Sequence, residues 1–113
     1  MYDLREHKEL ISQLVSEANQ NDENWRWSVK SVGKTKARIF WSYLEYCGQP
    51  EPYFVIELED TGDSYWIHAL DERDSYIESE IVVDNDLPFL NCPLDKAIEK
   101  MVRCIINTAH ACY

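Results

Sequence analysis

The sequence has few residues that break regular structure and no long apolar segment. Its 113 residues include three glycines and four prolines, and hydrophobic residues make up 45% of the chain. This composition favours a folded chain over a disordered one, and the length allows one domain. No stretch approaches the ~20 consecutive apolar residues of a membrane helix, and the N-terminus is charged. The sequence therefore predicts a cytoplasmic protein with no membrane association.

The chain also lacks the common motifs of metal and phosphate chemistry. Its four cysteines, Cys47, Cys92, Cys104 and Cys112, contain no Cys-x-x-Cys pair. That spacing indicates reduced thiols and no structural zinc site. No glycine-rich phosphate loop, Ser-x-x-Lys pattern or His-Glu-x-x-His pattern occurs. We therefore expect no cofactor, no metal and no enzymatic activity.

Two features point to catalysis at first inspection. Asp60-Thr61-Gly62 spells the catalytic triplet of aspartic proteases, in which two carboxylates share a proton. The triplet is followed by Asp63 and lies between two strand-like segments, where Thr-Gly is typical of a hairpin turn. His68 lies within a strand pattern, far in sequence from any nucleophile motif. We interpret the triplet as a turn and His68 as a packed or surface residue.

Basic residues are scarce, and the charges of the two signs are segregated. The chain has 11 lysines and arginines against 21 acidic residues, a formal charge of -10. Residues 25–44 contain five basic residues and no acidic one, whereas residues 45–86 contain thirteen acidic residues with Arg73 as their only basic residue. Such a field repels nucleic acid and anionic membranes and attracts basic protein surfaces. The composition therefore favours a basic protein partner over direct nucleic-acid binding.

Hydrophobic periodicity divides the chain into helix, strands and helix. Apolar residues at helical spacing predict a helix over about 3–19 and a second over 94–109, after Pro93. A period of two predicts strands over 25–32, 36–43, 53–60, 64–70 and 77–83, with a loop at 47–52. The fold class is α+β: an N-terminal helix, a four- to five-stranded antiparallel meander sheet and a C-terminal helix, with both helices on one sheet face. The residues expected on that face are Trp27, Val29, Ile39, Trp41, Phe54, Ile56 and Leu58.

The pairing of the first two strands follows from keeping like residues together. A three-residue loop at Gly33-Lys34-Thr35 separates apolar from charged side chains, whereas a two-residue loop mixes them on both faces. The resulting pairs are Trp27 with Trp41, Val29 with Ile39, Ser31 with Ala37 and Lys30 with Arg38.

The later strands are aligned by the same criterion. Ile39 is expected opposite Leu58 and Trp41 opposite Ile56, which places cations of the hairpin opposite carboxylates of the third strand and neutralises part of the basic patch. The consequent outer pairs are Arg38 with Glu59, Phe40 with Glu57, Glu57 with Trp66 and Val55 with His68. In the fifth strand we expect Ile77, Ile81 and Val83 on one side, and Glu78 and Glu80 on the other.

The outer sheet face then carries a strip of Phe40, Val55, Trp66 and His68 with an acidic rim. An apolar strip with a charged border is typical of a protein-binding surface. The alternative is that residues 84–92 fold back over the strip with Leu87, Phe89 and Leu90.

The favoured hypothesis is a small acidic inhibitor or adaptor that engages a basic protein, including one that binds nucleic acid. Phage counter-defence proteins, including anti-CRISPR and anti-restriction inhibitors, often take this acidic, DNA-mimicking form. The candidate partner-binding residues are Phe40, Glu57, Glu59, Asp60, Asp63, Trp66, His68, Asp71, Glu72, Asp74, Glu78 and Glu80, with Asp84 and Asp86 as further candidate mimics of phosphate.

Besides a small hydrolase that uses His68 or Asp60, two other functions stay open. One is a chaperone or immunity protein for a dedicated partner. The other is a nucleic-acid-binding domain that uses the basic hairpin, residues 26–38, because cations interleaved with aromatic rings are typical of nucleic-acid surfaces. Its candidate contacts are Arg26, Lys30, Lys34, Lys36 and Arg38. The sequence also allows a homodimer.

Overall fold

The computed structural model describes residues 2–23, 25–43, 53–89 and 91–112, without the side chains of Tyr43 and Cys112. The predicted loop at 47–52, which contains Cys47, and residue Leu90 lie outside the described residues. Among the described helices, none is long and apolar enough to cross a membrane.

The chain forms a five-stranded antiparallel sheet between two helices. A 3-10 turn, Leu4–His7, leads into helix α1, Lys8–Gln20. The strands are β1, Trp25–Val32; β2, Lys36–Tyr43; β3, Tyr53–Asp60; β4, Ser64–Leu70; and β5, Tyr76–Asp84. Helix α2, Leu94–Cys112, ends the chain, and the strands are ordered β1-β2-β3-β4-β5 in space. The predicted α+β fold, a meander sheet with both helices on one face, is confirmed.

The core lies between the helices and one face of the sheet. Helical spacing places Ile11 and Val15 of α1 toward the sheet, and α2 likewise presents a continuous apolar stripe. The buried core residues of the sheet and of α2 include Trp27, Ala37, Ile39, Trp41, Phe54, Ile56, Leu58, Ile67, Ala69, Val82, Leu94, Ala97, Ile98, Met101, Val102, Ile105 and Ala109.

The first hairpin keeps the predicted register far from its turn and departs from it near the turn. Trp27 pairs with Trp41 and Val29 with Ile39, as predicted. A bulge at Lys30 then shifts the pairing, so that Ser31 faces Arg38 and Val32 faces Ala37. The predicted pairs of Ser31 with Ala37 and of Lys30 with Arg38 are therefore wrong. The bulge returns Val32 to the core side and leaves the polar Ser31 exposed, which buries more apolar surface.

The predicted registers of β2 with β3 and of β3 with β4 are also wrong. Ile39 lies opposite Phe54 and Arg38 opposite Val55, while Lys36 lies opposite Glu57. In the next pair Glu57 lies opposite His68 and Glu59 opposite Trp66. The Leu58 N–H donates to the Thr35 carbonyl at 2.7 Å, so the first turn sets the alignment. A cross-strand ion pair is worth at most about 1 kcal/mol and does not override this backbone geometry.

Both offsets are even numbers of residues. Because successive side chains in a strand point to opposite faces, an even offset changes the neighbours of a residue but keeps it on the same face. The side chains of β2, β3 and β4 therefore lie on the predicted faces of the sheet, although the predicted registers are wrong.

In β5 the predicted alternation is wrong. Two bulges interrupt its pairing with β4, one near each end of the strand. Glu80 lies opposite Ile67 and Glu78 opposite Ala69, which places both carboxylates on the helix side of the sheet. Ile81 lies opposite Trp66 on the other face, and the bulged residue Val82 is buried. The Lys100 ammonium on α2 pairs with the Glu80 carboxylate at 2.6 Å. This ion pair offsets the cost of placing the negative charge of Glu80 on the helix side of the sheet.

A side chain of α1 covers part of the exposed edge of β1. Asn19 Oδ1 accepts the Trp27 N–H at 2.6 Å, and Asn19 Nδ2 donates to the Trp27 carbonyl at 2.9 Å. The amide thus provides the two hydrogen bonds that a neighbouring strand would provide. This contact also fixes the end of α1 against the first tryptophan-rich strand.

We expect Asn19→Ala to lower the free energy of unfolding by about 1–3 kcal/mol, because it leaves two half-buried backbone groups without partners. The measurement is urea denaturation followed by circular dichroism. Asn107→Ala, at an exposed position of α2, is the matched control and should leave the free energy unchanged or slightly raised. Equal effects of the two substitutions would contradict a role for Asn19 at the sheet edge.

Candidate functional site

The sheet face opposite the helices is the candidate site, and we call it the open face. It contains the side chains that alternate with the core residues in each strand. Its members are Arg26, Ser28 and Lys30 of β1; Lys36, Arg38 and Phe40 of β2; Tyr53, Val55, Glu57 and Glu59 of β3; Trp66, His68 and Leu70 of β4; and Tyr76, Ser79 and Ile81 of β5. Of the residues predicted to bind a partner, the structure brings together Phe40, Glu57, Glu59, Trp66 and His68 here.

An aromatic strip, comprising Phe40, Tyr53, Trp66, His68 and Tyr76, crosses the open face. Phe40, Tyr53 and Trp66 are half-buried, and Tyr76 is 61% exposed. The smaller side chains between them, Val55 and Leu70, are buried.

The segment after β5 leaves this strip uncovered in the described residues. Leu87 and Phe89 are 40% and 79% exposed, so the expectation that they pack over the strip is wrong. The Cys92 N–H instead donates to the Val82 carbonyl at 3.1 Å, which directs the segment along β5. Leu90, the third residue of that expectation, lies outside the described residues.

His68 is the centre of a hydrogen-bonded network within the strip. Its Nδ1 lies 2.6 Å from Ser79 Oγ and its Nε2 lies 3.0 Å from Glu59 Oε2. The ring is parallel to that of Trp66 at 6.3 Å and meets the edge of Tyr76 at 4.7 Å. The residue is only 8% exposed, and both ring nitrogens have partners.

The network has the composition of a hydrolase relay but lacks one of its parts. A hydroxyl, an imidazole and a carboxylate in series can activate a serine nucleophile. The N–H of Ser79, which would help to stabilise an oxyanion, donates instead to Glu78 Oε1 at 3.0 Å. We interpret the network as a support that holds the rings of Trp66 and Tyr76 in place. Ser79 could not be identified from the sequence, because the bulges of β5 determine which residue lies opposite His68.

Three cations of the hairpin lie on the open face without the expected neutralisation. Lys30 Nζ lies 5.7 Å from the centre of the Phe40 ring, and the Arg38 guanidinium lies 5.8 Å from the centre of the Tyr53 ring. Lys36 lies opposite Glu57 but forms no ion pair within the described residues.

Among the described residues, the carboxylates of β3 form no ion pair with these cations. Glu59 bonds to His68, and Arg38 lies opposite Val55. The expected pairing of Arg38 with Glu59 is therefore wrong, because the register that would align them does not form, and Glu57 lies opposite Lys36 instead.

The other two predicted cationic contacts lie at the periphery. The Arg26 guanidinium donates to the carbonyls of Asp22 and Trp25, each at 3.1 Å. Lys34 occupies the first turn, and its carbonyl accepts the Leu4 N–H at 2.9 Å. The charge of Lys34 also lies near Asp3. The pKa of Asp3 falls to about 2, chiefly because its carboxylate accepts hydrogen bonds from Arg5.

Five of the predicted acidic residues, Asp60, Asp63, Asp71, Glu72 and Asp74, lie at the two turns at opposite ends of β4. Asp60 Oδ1 accepts the Gly62 N–H at 2.8 Å, and Gly62 has a φ of 88°. This backbone conformation suits glycine and confirms that Asp60-Thr61-Gly62 forms a hairpin turn. At the other end, Asp71 Oδ1 accepts the N–H groups of Arg73 and Ser75 at 2.8 and 3.0 Å.

Other acidic candidates are exposed in these two turns or lie in the turn that follows β5. Asp63, Glu72 and Asp74 are exposed turn residues that can meet a partner. The carboxylate of Asp84 accepts the N–H groups of Asp86 and Leu87, at 2.9 and 3.3 Å. Asp84 thus stabilises the turn that follows β5, as Asp60 and Asp71 stabilise theirs.

Glu78 and Glu80 do not belong to the open face. Glu80 pairs with Lys100, and Glu78 Oε2 lies 4.0 Å from the Cys104 thiol on α2. Burial and the nearby Glu78 raise the pKa of Cys104, and burial together with Glu80 raises that of Cys92. Both thiols are free and are held in their less reactive protonated form. Among the described residues, no group of three or more potential metal ligands converges.

Comparison with known proteins matches the chain to no family model, no curated protein and no solved structure.

Proposed function

We propose that this protein is a small acidic inhibitor or adaptor that binds a basic protein through the β3–β5 part of its open face. The observation that carries the proposal is the aromatic strip, which both helices leave uncovered because they pack on the other face. An uncovered sheet face with half-buried aromatic rings fits the core of a protein interface.

The position of Trp66 supports its role as the central contact. Its ring is stacked on His68, which Glu59 and Ser79 hold from both sides. A tryptophan that is ordered before binding loses little side-chain entropy in the complex. The Tyr76 ring makes an edge contact with the same imidazole, and Tyr76 is the most exposed residue of the strip. Tryptophan and tyrosine in such settings dominate interface energies.

The charge around this part of the face supports a basic partner. Glu57 lies on the face, and exposed carboxylates of Asp63, Glu72 and Asp74 occupy the turns at the two ends of β4. Together with the net charge of -10, they favour rapid, salt-sensitive association with a cationic surface. A partner that normally binds nucleic acid fits this chemistry, as in phage counter-defence inhibitors. The free thiols support action in the reducing cytoplasm.

The test is affinity capture with the tagged protein from a lysate of the organism that encodes it, followed by binding measurements on the purified partner. We expect a partner with a basic surface, whose affinity falls as salt rises. Trp66→Ala should weaken binding by at least about 2 kcal/mol, as expected for a hot spot. Glu57→Lys should reduce the association rate and its dependence on salt.

Phe89→Ala is the matched control, because Phe89 is an exposed aromatic residue outside the open face. It should bind like the wild type. Glu59 is not used for the charge reversal, since its loss would also disrupt the His68 network. The absence of any captured partner, or equal losses for Trp66→Ala and Phe89→Ala, would contradict the proposal.

A further inference from the structure

The β1–β2 part of the open face carries a basic patch of three cations, with Glu57 as the carboxylate opposite Lys36. Lys30, Lys36 and Arg38 are exposed and form no ion pair within the described residues. They come from adjacent strands and point to the same side of the sheet as Phe40. Three exposed cations that lie together on one face of an acidic protein indicate a local site for an anion.

Aromatic rings lie directly among these cations. The rings of Phe40 and Tyr53 are neighbours across β2 and β3, with centroids 5.6 Å apart and planes inclined by 33°. Lys30 lies over the first ring and Arg38 over the second. Cations and aromatic rings thus alternate across the strands, and both rings remain half-buried, with part of their surface accessible.

We propose that this patch binds single-stranded nucleic acid, with bases stacked near Phe40 and Tyr53 and phosphates contacted by Lys30, Lys36 and Arg38. Sheet faces that present aromatic rings between cations bind unpaired bases, since every base has a face that can stack. A duplex keeps its bases stacked internally and offers only phosphates to such a surface. The inference goes beyond the proposed function, because the patch contacts a different ligand through cations that the protein-binding part does not use, although Phe40 and Tyr53 also belong to the aromatic strip.

The net negative charge weakens this binding without preventing it. At physiological ionic strength, charges beyond about 8 Å are largely screened, so the local cations outweigh distant carboxylates. For single strands, each neutralised phosphate contributes about 0.7 to the dependence of log affinity on log salt. Three phosphate contacts therefore predict that log affinity falls with log salt concentration with a slope of about -2.

The experiment is fluorescence anisotropy of a labelled twelve-nucleotide oligothymidylate or oligouridylate titrated with the purified protein at several salt concentrations. We expect saturable binding at low salt, with weaker binding of a duplex of equal length. The triple variant Lys30→Glu, Lys36→Glu, Arg38→Glu should lose the binding. The control is the triple variant Lys8→Glu, Lys96→Glu, Arg103→Glu, which changes the net charge by the same amount at exposed helical positions. It should retain most of the oligonucleotide binding.

The aromatic contribution is tested separately. Phe40→Leu keeps an apolar side chain but removes the ring, and we expect at least about a fivefold loss of affinity with an unchanged salt slope. Phe89→Leu is its control. Circular dichroism of every variant establishes that the fold is retained. Trp66→Ala should bind the oligonucleotide like the wild type, which separates this site from the proposed protein-binding surface.

Three results would overturn the inference. One is no binding of the oligonucleotide at low salt, and another is an equal loss in the two triple variants. The third is duplex or polyglutamate binding as tight as that of the single strand, with no effect of Phe40→Leu. That outcome would assign the patch to polyanions in general, such as an acidic protein segment.

Discussion

Val82→Asp should unfold the protein under conditions in which Ile81→Asp leaves it folded. Val82 is fully buried beside the bulge of β5, whereas Ile81 is half-buried on the open face opposite Trp66. An unpaired carboxylate in the core costs at least about 3–5 kcal/mol, which is a large part of the stability of a domain of this size. At Ile81 the same substitution removes only part of an apolar contact, which lowers the free energy of unfolding by about 1 kcal/mol.

The measurement is far-UV circular dichroism with urea titration of both variants. The two positions are neighbours in one strand and receive the same residue, so the unfavourable strand propensity of aspartate is matched. The comparison tests the bulge directly, since simple alternation predicts that Ile81 is the buried residue. A larger loss of stability for Ile81→Asp would show that the bulge does not form.

Trp41→Ala should lower the free energy of unfolding by about 3–5 kcal/mol, the range for removal of a large core aromatic residue. Trp41 is fully buried, and its ring stacks on those of Trp25 and Trp27 with centroids 3.8 and 5.2 Å away. It also meets the edge of the His110 ring at 5.4 Å, which connects the first hairpin to α2. The substitution removes contacts to both structural layers at once.

Trp66→Ala is the control for this truncation, because it removes the same side chain from the open face. We expect it to cost less than about 2 kcal/mol, since the ring is half-buried on the open face and stacks on His68. Urea titration of both variants gives the comparison. If Trp66→Ala proved as destabilising as Trp41→Ala, the open face would have to be covered in the folded protein.

These two comparisons have a functional consequence for the proposed surfaces. A tolerant open face can be altered without unfolding the protein, so changes in binding for Trp66→Ala or Phe40→Leu can be assigned to the surface itself. The core tryptophans do not offer this separation. Binding experiments should therefore be restricted to variants of the open face.

The types of the elements and most of the side-chain faces were predictable from the sequence. Helical spacing in α1 and α2 and the period of two in β1 to β4 reflect burial on one side, which is a local property. Trp27, Ile39 and Phe54 fell on the core side for this reason, and Phe40, Trp66 and His68 on the open side. Even the wrong registers preserved these faces, because their offsets were even.

What only the tertiary structure decided is which residues meet across strands. Turn geometry and the bulges at Lys30 and in β5 set the registers, and each outweighs a cross-strand charge pair of at most about 1 kcal/mol. They moved Glu78 and Glu80 to the helix side, placed Ser79 beside His68 and left Lys36 and Arg38 without the carboxylate partners expected for them. The sequence by itself determined that the protein is acidic and of the α+β class with both helices on one sheet face, whereas the exposure of Leu87 and Phe89 was decided by the tertiary structure. The division of the open face into an aromatic, acidic part and a basic part followed from long-range pairing, which no local pattern encodes.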